Sequence, residues 1–116
     1  MTFVNFLMAD SSAETLDDFA KKFFHSIGAQ SVSERHSANY TEGRYFYGTL
    51  DSCEVVLALS DELDFDDLNF WVSLEALSED CISNFETIIH SSLITKGVLV
   101  AKIENFGKKN MSRLDY

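Results

Sequence analysis

The segment Asp61-Glu62-Leu63-Asp64-Phe65-Asp66-Asp67 places five carboxylates around two apolar side chains. Carboxylates at this density can ligate a hard cation or meet a cationic surface. Asp64, Asp66 and Glu75 fall at positions 1, 3 and 12 of an EF-hand register. Leu68 and Asn69 then stand at positions 5 and 6, where a ligand and the turn glycine belong, so the register fails. His25, His36, His90, Cys53 and Cys81 are scattered without the close ligand pairs of a zinc site. The two cysteines lack C-x-x-C spacing and make no disulfide framework, so they are read as buried small hydrophobes. No metal and no cofactor is expected.

Nucleophilic catalysis needs a Ser or Cys beside a His that a carboxylate orients. The chain carries no G-x-S-x-G, P-loop, G-x-G-x-x-G or H-E-x-x-H, and His90 reads as a polar or boundary residue of a helix. We expect no enzyme and no catalytic residue. Direct nucleic-acid binding is disfavoured as well, because phosphate contacts need Lys and Arg.

The net charge is −10, and its distribution says more than its size. Between Arg44 and Lys96 there is no Lys or Arg, yet this stretch holds eleven acids: Asp51, Glu54, Asp61, Glu62, Asp64, Asp66, Asp67, Glu75, Glu79, Asp80 and Glu86. Such a field either keeps the protein soluble or steers a partner. Leu63 and Phe65 among the acids favour a contact surface, in which charge sets orientation and apolar groups supply desolvated area. Trp71 adds a residue type enriched at interface hot spots, and Tyr45 and Tyr47 share a strand parity that could bring them beside it. The alternative is a core Trp71 under helices on both faces.

The elements that position these residues follow from periodicity. Ser11 and Glu14 have capping-box spacing, after which Leu16, Phe19, Ala20, Phe23, Phe24 and Ile27 form one helical stripe stopped by Gly28. Arg44–Leu50 and Cys53–Leu59 read as a hairpin about a short break at Asp51-Ser52. Leu68, Phe70, Val72 and Leu74 alternate with Asn69, Trp71, Ser73 and Glu75 as a half-buried strand, while Phe3–Met8 and Ser31–Ser37 are weaker strands. A second helix starts at Ser78, with Leu77 and Ile82 at staple spacing, and stops at Lys96-Gly97 before a strand at Val98–Ile103. The last dozen residues are a short element or a frayed tail. The fold expected is α+β: an antiparallel sheet of about four to six strands with two amphipathic helices packed on it, in a single domain over 1–116. No apolar run approaches the roughly 18 residues of a membrane span, and no basic n-region marks a signal peptide, so a cytoplasmic protein is expected.

A compact acidic domain of this length, with charge concentrated over Asp51–Glu86, resembles the immunity proteins of bacterial contact-dependent growth inhibition systems. The resemblance implies a cytoplasmic protein that binds the toxin domain delivered by a sibling cell, often a basic nuclease, and occludes its active site or an adjacent surface. From charge and exposure, the partner-binding residues expected are Asp61, Glu62, Asp64, Phe65, Asp66, Asp67, Trp71 and Glu75. The loop carboxylates would take the places of substrate phosphates, with Phe65 and Trp71 as anchors. In the free state the protein is expected to be a monomer or weak dimer. In outline the chain also resembles the acidic secretion chaperones of the type III kind, which hold an effector segment as homodimers.

Overall fold

A computed structural model describes residues 2–50 and 53–116. The chain runs β1 (Thr2–Ala9), α1 (Leu16–Ile27), β2 (Gln30–His36), β3 (Arg44–Leu50), β4 (Cys53–Leu59), β5 (Phe70–Ala76), α2 (Glu79–Ile88), β6 (Leu99–Glu104) and β7 (Ser112–Asp115). Among the described residues, seven strands form one antiparallel sheet in the order β2-β3-β4-β5-β1-β6-β7. This is an α+β fold, with a sheet somewhat larger than the four to six strands expected. The break at Asp51-Ser52 lies outside the described residues.

β1 is central, pairing with both β5 and β6. Its sequence alternates poorly because it is covered on both faces: Val4, Phe6 and Met8 bury on one side and Leu7 on the other. β5 and β6 flank β1 and so run parallel, with α2 as their crossover. The tail resolves as β7, an edge strand on β6, and the Tyr116 N–H donates to the Val100 carbonyl at 2.9 Å.

α1 and α2 lie on the same face of the sheet. Leu16, Phe19, Ala20, Phe23, Phe24 and Ile27 of α1 bury against Val55, Leu57, Phe70 and Val72, with the Phe19 and Phe70 rings stacked at 4.3 Å. Each fully buried Phe contributes on the order of 1.5–3 kcal/mol. Gly48 of β3 admits this packing, since a Cβ there would stand 2.9 Å from the Phe24 ring. Phe85 of α2, with Ile89 and Leu93 of the π turn that follows it, closes the other end of the core.

Two expectations about helix ends are corrected. The first helix does not start from a Ser11–Glu14 capping box: Thr15 is the cap, its Oγ1 accepting from the Asp18 N–H at 3.2 Å. Asp10 diverts the preceding residues by accepting from both the N–H and the hydroxyl of Ser12 and pairing with Lys22 of α1. Ser78 does cap α2, accepting from the Cys81 N–H, but Leu77 stays 67% exposed and forms no staple. The cysteines are buried as expected yet not independent. Cys53, at the start of β4, is joined to Cys81 in the first turn of α2, with Cα atoms 6.3 Å apart.

Candidate protein-binding face

The face opposite the helices divides in two. Over β1 and β6, the loops at 60–69 and 105–111 fold down, and Phe65, Phe106 and Met111 pack on Leu7, Leu68, Ala101 and Ile103. Leu68 belongs to this cluster and not to the helix-facing row of Phe70, Val72 and Leu74, because β5 starts only at Phe70. Over β3, β4 and β5, the outward-pointing residues are Tyr45, Tyr47, Glu54, Val56, Trp71, Ser73 and Glu75. Strand alternation puts them there, since their neighbours Phe46, Val55, Leu57, Val72 and Leu74 point into the core.

Aromatic rings run along this face. Tyr40, in the loop before β3, stacks on Tyr45 at 4.2 Å and leans on Trp71 at 5.9 Å, and Trp71 stacks on Phe106 at 5.9 Å. Trp71 is half-buried, and its Nε1–H donates to Asn5 Oδ1 at 3.0 Å, which locks the indole's orientation. Burial raises the Tyr40 phenol above its ordinary value, with Tyr45 adding to the effect. The parity of Tyr45, Tyr47 and Trp71 was legible in the sequence. Tyr40 and Phe106 were not, because they sit in turns where no period marks their direction.

Acids edge the rings. Glu54 and Glu75 stand directly opposite each other on β4 and β5. The Tyr47 hydroxyl donates to Glu54 at 2.8 Å, and this bond raises the Tyr47 phenol above its usual range. Arg35 lies over the Tyr47 ring at 3.9 Å. Among the described residues neither Glu54, Glu75 nor Asp61 pairs with a Lys or Arg. Two like charges across a strand pair repel, so this arrangement favours a cation from outside.

The eight residues expected to bind a partner do not form one patch. Asp61, Trp71 and Glu75 line cavities on the aromatic face. Asp66 and Asp67 line a separate hollow beside Asp10, Glu14 and Leu99. Glu62 closes its own turn by accepting from the Asp64 N–H, Asp64 is exposed, and Phe65 is half-buried beneath Arg113. Asp67 is bound by Arg113, which holds it below the usual carboxylate range.

Among the described residues no three His, Cys, Asp or Glu side chains converge to hold a metal ion, and no hydrogen bond joins a His to a Ser or Cys. No helix is long and apolar enough to cross a membrane. No protein-family model, curated protein or solved structure matches this chain.

Proposed function

We propose that this chain is a non-enzymatic binding protein that captures a basic protein partner on the aromatic face of its sheet. The reading follows the resemblance to immunity proteins: a cytoplasmic inhibitor that occludes a basic toxin domain, one to one. The observation that carries it is the row Tyr45–Tyr40–Trp71–Phe106, opposite both helices and edged by Glu54, Glu75 and Asp61, none of which forms a salt bridge with a Lys or Arg among the described residues. Rings supply desolvated area with little conformational entropy to lose, and unpaired carboxylates at their edge set orientation and speed of encounter.

The test is affinity capture from lysate of the native cell at low and raised salt, with the co-eluting proteins identified by mass spectrometry. Recovery of a basic domain is expected, with association slowing as salt rises while dissociation changes less. Trp71→Ala combined with Glu75→Gln should abolish recovery while leaving the circular dichroism spectrum unchanged. Undiminished recovery by that variant would overturn this face. A salt-insensitive homodimer holding an unfolded segment would turn the assignment to a secretion chaperone.

A further inference from the structure

A cavity of about 280 Å³ opens on the aromatic face, lined among others by Tyr40, Leu59, Ser60, Asp61, Trp71 and Phe106. It falls just below the roughly 300–1,000 Å³ range of small-molecule pockets, a size that suits one side-chain head better than a cofactor. The Trp71 N–H is already committed to Asn5, so what the indole shows to the cavity is apolar ring surface. Asp61 is exposed at this cavity and pairs with no Lys or Arg among the described residues.

The protein's own arginines indicate what such a combination holds. Arg35, Arg44 and Arg113 each lie over an aromatic ring, at 3.9 Å from Tyr47, 5.6 Å from Phe46 and 5.6 Å from Phe65. Arg44 and Arg113 also pair with carboxylates, Glu34 and Asp67 among them. Tyr40, Trp71, Phe106 and Asp61 repeat this set of rings and acid, with no Lys or Arg of the described residues over the rings. We propose that the cavity is a guanidinium site that receives one arginine side chain of the basic partner; this rests on the function proposed above. Arginine fits better than lysine because its planar, weakly hydrated head stacks on aromatic faces and still offers a fork to the carboxylate.

Trp71 is the single tryptophan, so its fluorescence reports the cavity directly. The probe is N-acetyl-arginine amide, with the neutral isostere N-acetyl-citrulline amide beside it. A saturable change is expected with the arginine probe and none with citrulline. Asp61→Asn and Tyr40→Ala should each weaken the arginine probe about tenfold, whereas Asp64→Asn, elsewhere on the acidic loop, should leave it unchanged. A response shared by citrulline, or lost equally in Asp64→Asn, overturns the site. Partner capture separates the remaining outcomes. If the probe fails but the partner is still captured through Glu54 and Glu75, the cavity assignment falls and the binding face stands. If the probe binds and Asp61→Asn leaves capture intact, the cavity takes a free guanidinium compound and its role in docking is overturned. Failure of both overturns both.

Discussion

Arg113 holds Asp67 by two bonds of 2.8 Å, Nη1 to Oδ1 and Nη2 to Oδ2, across 46 residues of chain. Its Nε–H donates to Asp115 at 2.7 Å, and its plane covers the Phe65 ring. One guanidinium therefore ties the acidic loop to β7. Arg113→Ala is expected to lower stability by about 1 kcal/mol, the upper end for a solvent-exposed pair, because the geometry is bidentate. The urea midpoint checks this, and a double-mutant cycle with Asp67→Asn should show that the two losses do not add.

The pair Asp10–Lys22 is expected to contribute to the acid limb of stability. Burial raises the Asp10 carboxyl, but the hydrogen bonds from Lys22 and Ser12 outweigh it and leave the carboxyl below its ordinary 3.8. Asp67 is lowered in the same direction by the hydrogen bonds from Arg113. Carboxyls depressed on folding contribute stability that is present above the unfolded value and lost as pH falls through the folded one. Midpoints measured from pH 6 to pH 2 should fall below about pH 4, and Asp10→Asn should flatten that decline while lowering stability at pH 6 by about 1–3 kcal/mol.

Cys53 and Cys81 close a loop with a sequence separation of 28. By loop-closure entropy the bridge should stabilise the oxidised protein by about 3–4 kcal/mol over the reduced one. Denaturation with and without reductant measures the difference, and equal midpoints would remove the bridge from the account.

Gly48→Ala is expected to destabilise by about 1–3 kcal/mol. The new Cβ would stand 2.9 Å from Phe24 and 3.3 Å from Val32, and Phe24 is buried in the helix-to-sheet core. Thermal unfolding of the variant checks this. Gly28→Ala acts through a different cause, because nothing lies within 4 Å of its Cβ and the cost is that of holding a side-chain-bearing residue at a φ of 72°, roughly 1–2 kcal/mol.

The elements were legible wherever their signals were local. Arg44–Leu50 and Cys53–Leu59 are strands with the bounds expected, and Ser78 caps its helix, because propensity, alternation and capping act over a few residues. The Ser11 cap failed because Asp10 competes for the same backbone through Ser12 and is held by Lys22 of α1. The pairing of Cys53 with Cys81 was out of reach, since spacing of 28 residues carries no signal for contact.

By itself the sequence determined an α+β chain with its acids concentrated between Arg44 and Lys96, since composition and periodicity are properties of the linear order. Tertiary structure alone decided which of those acids stay without a base. Strand pairing brings Arg113 to Asp67 and Lys102 to Glu86 from outside the acidic stretch, while Asp61, Glu54 and Glu75 meet none among the described residues. It also brought Tyr40 and Phe106 to Trp71 from loops on either side, because contacts between residues tens of positions apart depend on strand order, which no local signal encodes.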